Sequence, residues 1–301
     1  MLSPARGLAD SLVLGHVRDS VTGASVIGAQ VSIKKGNDAL GSGSSDSEGN
    51  YSVAIRMPNS SELSTLTIHV NHNAYSESST NIQIKSGAPT ERNYPIALLP
   101  RDLGVCLGNS KHVVVVGHFR APLGQSFTEL PGRIAEALQF NLLTRLQEAT
   151  LPPALQPSFE PCEKAYPRAL PYGKSLARAL RAHAVLFGNV TQGVSGYDVN
   201  TYVSDAYDIF AFPVPYANQS VNLNNPSEAE MSPKTYEAVL AAVAAGLEKS
   251  EDLEKTEKCK AVITVINAAE RIVGEVTPPL AKIRGRCQQQ LPHVGLLSGG
   301  K

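Results

Sequence analysis

Gly15-His-Val-Arg-Asp19, Thr22-Gly23, Gly28-Ala-Gln-Val31 and Asp46-Ser-Glu-Gly49-Asn-Tyr51 form a spaced pattern near the start of the 301-residue chain. Each residue type in it has a backbone task rather than a chemical one. Val13 and Val17 alternate with polar neighbours, as in a strand with one buried face. Asp19 is placed to accept hydrogen bonds from N–H groups two or three residues on, and Gly23 supplies the positive φ that such a turn needs. Ala29, Val31 and Ile33 keep the period of two. Asp46 and Gly49 repeat the turn chemistry, and Tyr51, Val53 and Ile55 alternate again. Leu66, Ile68 and Val70, then Ile82 and Ile84, then Tyr94, Ile96 and Leu98 continue a series of short strands separated by Ser-, Asn- and Gly-rich turns. Such a series predicts an all-β sandwich.

Beyond Leu98 the period changes. Pro100, Gly104, Gly108 and Asn109 mark a connector, and Val113 to Phe119 is a continuous apolar strand of the kind buried on both faces. Ile134, Leu138, Leu142 and Leu146 predict a helix from Pro131 to Glu148, with Pro131 in the first turn, where its missing N–H costs little. A short strand near Ser158 to Pro161, a helix from Tyr172 to Ala182, a strand from Ala184 to Thr191 and a long strand from Tyr197 to Phe210 follow. After a polar loop, helices are expected over Lys234 to Lys249, Leu253 to Val273 and Pro279 to Gln289. The expected fold class is α+β in two domains: a seven-stranded β-sandwich, then a mixed α/β (βαβαββ) domain with a helical C-terminal extension. The expected boundaries are 1–100 for the sandwich, 101–111 for a linker, 112–232 for the α/β domain and 233–301 for the extension and tail.

Two resemblances add to this reading. The Gly15 to Gly23, Gly28 to Val31 and Asp46 to Tyr51 elements resemble the carboxypeptidase regulatory-like domain, a prealbumin-like fold, over Leu12 to Pro100. That resemblance implies a non-catalytic accessory module of secreted or envelope proteins. The apolar strand at Val113, the helix with Ile134 to Leu146, and Ala177-Arg-Ala-Leu-Arg-Ala-His-Ala-Val-Leu-Phe-Gly-Asn-Val190 resemble the amino-terminal domain of TolB-type periplasmic proteins, over Lys111 to Phe210. His183 stands where that pattern commonly has Asp. The resemblance implies an envelope interaction domain and carries over no catalytic residue.

Lys+Arg and Asp+Glu are both 27, so no basic excess points to nucleic acid. No apolar run reaches the eighteen or so residues that span a bilayer. Met1-Leu-Ser-Pro-Ala-Arg6 lacks the charged and apolar regions of a signal peptide. With the resemblances, the expectation is a periplasmic or secreted protein whose signal was removed, with a cytoplasmic location as the alternative. Cys106, Cys162, Cys259 and Cys287 form no Cys-x-x-Cys pair. Their even number fits two disulfides or four buried thiols. If bonded, Cys259 and Cys287 are the expected pair, because they lie near opposite ends of two helices able to pack antiparallel.

Chemical motifs are sparse. Gly173-Lys174-Ser175 opens a helix, but a phosphate-binding loop needs a Gly where Arg168 stands, so Lys174 reads as a solvated helix-start residue. His69 and His72 point to opposite faces of a strand, and no zinc-peptidase or nucleophile-elbow motif exists. Asp205 and Asp208 also fall on opposite faces and read as solvent-facing charge. His118 follows a buried strand and is the candidate lining of a cleft with Gly188, with a structural histidine as the alternative. Tyr197, Tyr202, Tyr207, Phe210, Phe212 and Tyr216 concentrate aromatics in a chain with 6% of them and no Trp. They serve either core packing or partner recognition. The resulting expectation is a non-enzymatic envelope scaffold, without metal or cofactor, that presents its domains to a protein or polysaccharide partner. A small-ligand sensor and a hydrolase with an unrecognised site are the alternatives.

Overall fold

The computed structural model describes residues 8–58, 63–85, 93–106, 111–122, 125–167, 170–192, 197–221 and 232–291. The chain divides into two compact units, Met1–Val105 and Cys106–Lys301.

The first unit is a seven-stranded sandwich. Strands β1 (Leu8–Asp19), β4 (Asn50–Pro58) and β7 (Asn93–Leu98) form one sheet in the order β4-β1-β7. Strands β2 (Gln30–Lys35), β3 (Asp38–Ser44), β5 (Leu63–Asn71) and β6 (Ser78–Lys85) form the other in the order β3-β2-β5-β6. The alternating residues meet between them: Val13, Val17, Ala29, Val31, Ile33, Tyr51, Val53, Ile55, Leu66, Ile68, Val70, Ile82, Ile84, Ile96 and Leu98 are one buried cluster, with Tyr94 half-buried against it.

The spaced pattern works as backbone chemistry. Asp19 Oδ1 accepts from the N–H groups of Val21 and Thr22, both at 2.8 Å, and Gly23 has φ +72°. Asp46 Oδ1 accepts from the N–H groups of Glu48 at 2.9 Å and Asn50 at 2.8 Å. The Tyr51 ring lies where a Gly15 Cβ would be, and its hydroxyl donates to the Tyr94 carbonyl at 3.0 Å. Asp19 is almost fully buried, and its Oδ2 also takes the Tyr75 hydroxyl at 3.0 Å. Replacing Asp19 by Ala removes the acceptor of the Val21 and Thr22 N–H groups, so it is expected to cost the sandwich about 2 kcal/mol. Urea unfolding followed by a sandwich-specific probe checks this; an unchanged midpoint would contradict it.

The second unit is a five-stranded mixed sheet, order β12-β11-β10-β8-β9, built from β8 (Val113–Arg120), β9 (Ser158–Pro161), β10 (Ala184–Gln192), β11 (Tyr197–Asp205) and β12 (Val214–Val221). β8 runs parallel to β9 and β10, whereas β11 is antiparallel to β10 and β12. Helices α1 (Leu130–Glu148), α3 (Pro233–Lys249) and α4 (Lys255–Val273) share one core with the sheet, and α5 (Pro278–Gln290) packs on α3 and α4. The short helix α2 (Gly173–Ala179) lies against β10 and β11 and brings Gly173 close onto Ser204. The C-terminal helices therefore contribute to the unit's main core. Among the described residues no helix is long and apolar enough to cross a membrane.

Several details differ from expectation. The strand expected to reach Phe210 ends at Asp205, whose carboxylate accepts from the N–H groups of Tyr207 at 2.8 Å, Ile209 at 2.9 Å and Phe210 at 3.2 Å. That carboxylate is fully buried, not solvent-facing, because the turn encloses it. β12 is an added strand within the stretch expected to be a polar loop; residues 211–213, 222–231 and the tail 292–301 lie outside the described residues. The connector contains a 3-10 turn, Arg101–Cys106. The structure bonds Cys106 to Cys162, with Cα atoms 5.6 Å apart, and leaves Cys259 and Cys287 as buried thiols, correcting the expected Cys259–Cys287 pair. Packing of α4 against α5 buries both thiols, and the Cys259 thiol donates to Gln290 Oε1 at 3.7 Å.

Candidate functional site

The described aromatic side chains of the stretch from Tyr197 to Tyr216, those of Tyr202, Tyr207 and Phe210, have different neighbours. Tyr202 stacks on Phe187 at 5.6 Å between centroids, Phe187 meets Tyr166 at 5.8 Å, and Tyr166 meets His118 edge-on at 5.7 Å. Arg120 sits over the Tyr166 ring at 5.4 Å. His118 is solvent-exposed at the end of this file, with partial burial drawing its pKa below the usual imidazole value. Tyr207 and Phe210 pack instead against the helical core. Tyr197 and Tyr216 lie in β11 and β12, where Tyr216 is in register with Thr201, and Phe212 lies outside the described residues. The backbone at Gly188 is closely packed: a Cβ there would overlap the Asn200 carbonyl oxygen and press on the Phe119 ring.

Another part of the same unit is open. A cleft of about 960 Å³ runs along one face of α5, bounded by the chain after β11, the end of α3 and the start of α4. Its apolar lining comes from Ile209, Ala245, Pro278, Pro279 and Ile283. Lys249, Lys255, Lys258, Lys282 and Arg286 supply five cations, against the two carboxylates Asp208 and Glu248. Helical spacing explains this convergence: Lys255 and Lys258 are one turn apart on α4, and Lys282 and Arg286 one turn apart on α5.

Both carboxylates are already engaged. Glu248 receives Arg286 through two nitrogens, Nε and Nη2, each at 2.6 Å, and this bidentate pair raises the guanidinium pKa further. Asp208 accepts from Lys174 Nζ at 3.0 Å and Arg178 Nη2 at 2.6 Å. Those bonds, led by the one from Lys174, hold its carboxyl below the usual range. Lys174 is thus an ion-pair partner rather than a solvated helix-start residue. Lys249 Nζ sits 5.3 Å from the centre of the Tyr207 ring. Lys255, Lys258 and Lys282 have no carboxylate partner among the described residues.

Tyr207 joins the cleft to a buried polar chain. His183 Nδ1 lies 2.6 Å from the Tyr207 hydroxyl, and His183 Nε2 lies 3.0 Å from His112 Nδ1. His183 fits because α3 presents Gly246, whose absent Cβ leaves room for the imidazole. Burial, then the neighbouring His112, pushes the His183 pKa down to about 3. Burial, then Asp205, pushes the Tyr207 phenol up. Near neutral pH the chain is therefore two neutral imidazoles and a protonated phenol, a rigid support for the Tyr207 ring.

Sequence reasoning singled out Tyr207 and His118 but missed the lysines. Their signal was present as one-turn spacings on helices treated only as an extension; what it lacked was knowledge that the three helices enclose one hollow. A smaller depression of about 500 Å³ overlies Gly15 and Tyr51 in the sandwich. Its one carboxylate, Asp46, is occupied with capping the turn.

The fold and site define a two-unit α+β protein: a seven-stranded sandwich, then a helix-covered mixed sheet with a basic cleft. No protein-family profile and no curated protein matches the chain. Among solved structures, it is similar to 5-hydroxyisourate hydrolase from Klebsiella pneumoniae, with 14% identity, a TM-score of 0.24, and coverage of 30% of this chain and 90% of that one. It is also similar to a 9R-lipoxygenase from Cyanothece PCC8801, with 13% identity, a TM-score of 0.20, and coverage of 96% of this chain and 53% of that one.

Proposed function

We propose that the chain is a non-catalytic binding protein whose C-terminal unit takes a small organic ligand in the α3–α4–α5 cleft. The observation that carries this is the cleft itself, about 960 Å³, with an apolar lining and polar groups converging from four chain segments. That size and composition suit a small-molecule site. The titration behaviour favours binding over catalysis: the Tyr207 phenol stays protonated and His183 stays neutral with little basicity, so neither is poised for proton transfer near pH 7. The sandwich would serve as the platform that presents this unit, in keeping with its resemblance to regulatory-like modules, and the resemblance to TolB-type amino-terminal domains favours a periplasmic or secreted setting.

A library screened by melting temperature tests the proposal. A true ligand at one hundred times its Kd adds about 2.7 kcal/mol to the stability of the unit that binds it. Gln290→Trp, which places a bulky ring at an exposed position of the cleft lining and removes the acceptor of the Cys259 thiol at 3.7 Å, is expected to abolish the ligand-induced shift measured from its own unliganded melting temperature. Ligands that bind this variant as well as the parent would refute the cleft as the site.

Scaffolding for a protein or polysaccharide partner is the second reading, favoured by the His118–Tyr166–Phe187–Tyr202 file, which ends in exposed and half-buried rings. Retention on a polysaccharide column that is lost in Tyr202→Ala, with ligand binding intact, would favour it.

A further inference from the structure

Three lysines, Lys255, Lys258 and Lys282, line one hollow without a carboxylate partner among the described residues. The whole chain has a formal net charge of zero, so this local excess is not a by-product of basic composition. Lys255 and Lys282 are exposed and Lys258 is half-buried. The groups come from two different helices, so flexing of one helix does not disperse them. Unpartnered like charges around one cavity repel, and each gains when a multivalent anion enters.

We infer that the cleft ligand is a phosphate ester bearing two or more negative charges, clamped by Lys255, Lys258 and Lys282 with its organic portion against Tyr207, Ile209 and Ile283. This rests on the ligand-binding reading above and specifies its chemistry. Phosphate is preferred to carboxylate because of which cations remain available. The planar guanidinium fork that matches a carboxylate belongs to Arg286, and Glu248 already occupies it through both nitrogens. What remains are lysine ammoniums, compact point charges that suit the dispersed oxygens of a phosphate group. Lys249, drawn over the Tyr207 ring, holds a further cation beside the phenol without neutralising it. The apolar lining at Ile209, Pro279 and Ile283 accounts for an ester rather than bare inorganic phosphate.

The test uses the full chain and matched charged and neutral probes: inositol hexakisphosphate against myo-inositol, and adenosine triphosphate against adenosine, titrated by calorimetry at about 50 mM salt. The charged member of each pair is expected to bind at least tenfold more tightly and to weaken about tenfold when salt rises to about 500 mM. Lys258→Glu is expected to weaken the charged probes about tenfold, and Lys255→Glu/Lys258→Glu/Lys282→Glu to abolish their binding. Lys34→Glu/Lys35→Glu, in the sandwich, leaves binding unchanged. Vesicles containing phosphatidic acid, whose phosphomonoester headgroup can carry a second negative charge, provide the arm for a lipid source. Binding to vesicles alone, lost in the triple variant, assigns the phosphate to a headgroup; binding to the soluble probes assigns it to a free ester. Equal binding of charged and neutral probes overturns the phosphate class but leaves the ligand-binding reading standing. Charged probes that bind the triple variant undiminished overturn the site. Binding of no probe overturns the phosphate class, and the library screen with Gln290→Trp then decides the broader reading by itself. Circular dichroism at 222 nm confirms that each variant keeps its helices.

Discussion

The C-terminal unit is expected to lose about 2–3 kcal/mol of stability between about pH 7.5 and about pH 4.5, chiefly through His183. Its folded pKa is about 3, because burial and the adjacent His112 disfavour the imidazolium. In the unfolded chain the same group titrates near the ordinary value of 6.5. Between those values the unfolded state binds more protons than the folded one, so stability rises with pH. The contribution is complete above the unfolded value and is lost progressively as pH falls toward the folded one, with a limiting slope of about 1.4 kcal/mol per pH unit. His112 adds a change of the same sign: burial and Lys111 lower its pKa against an opposing pull from Asp252. Among the described residues all five α-helices lie in this unit, so ellipticity at 222 nm during urea unfolding reports it separately from the sandwich. His183→Gln removes the titration and is expected to take about one proton out of the slope between pH 6.5 and 4.5, whatever it does to absolute stability. A wild-type midpoint that stays flat over this range, or a slope the variant does not change, would refute the assignment.

This acid sensitivity was invisible in the sequence for a definable reason. His183 was noticed as a departure from the Asp of the resembling pattern, yet burial depends on Gly246, sixty-three positions later on α3. The sandwich was far more legible. Its determinants are local: period-two alternation places Val31 and Ile33 inward, and Asp19 and Asp46 cap turns within four residues of themselves. The long strand from Tyr197 was misjudged at its end because Asp205 binds N–H groups ahead of it, a competing use of a strand-compatible stretch. The cleft was the least legible feature. Its lysines are ordinary surface residues until three helices and the Tyr207 turn enclose them. Charge patterning on a single helix cannot reveal that.

Gly188→Ala is expected to destabilise the C-terminal unit by about 3 kcal/mol, although Ala is the smallest substitution available. Gly188 lies in β10 opposite Thr201 of β11, beside the point where the register with β8 shifts. The added methyl would overlap the Asn200 carbonyl oxygen, which belongs to a paired strand, and press on the Phe119 ring, which is 1% exposed. Neither neighbour is the free end of a flexible side chain, so relief requires separating β10 from β11 or displacing Phe119 from the core. Gly132 provides the internal comparison. It lies near the start of α1, and a Cβ there meets nothing within 4 Å. Gly132→Ala is therefore expected to stabilise by about 0.5 kcal/mol, through lower unfolded-chain entropy and better helix propensity. Urea midpoints at 222 nm of opposite sign for one chemical change would show that close strand packing requires the glycine in β10. The same variant separates two candidate ligand sites. A crevice at His118 and Gly188 would gain an obstructing methyl, whereas the α3–α4–α5 cleft is lined by none of these residues. Ligand affinity of folded Gly188→Ala is expected to equal that of the parent, and a tenfold loss would return the site to the strand ends.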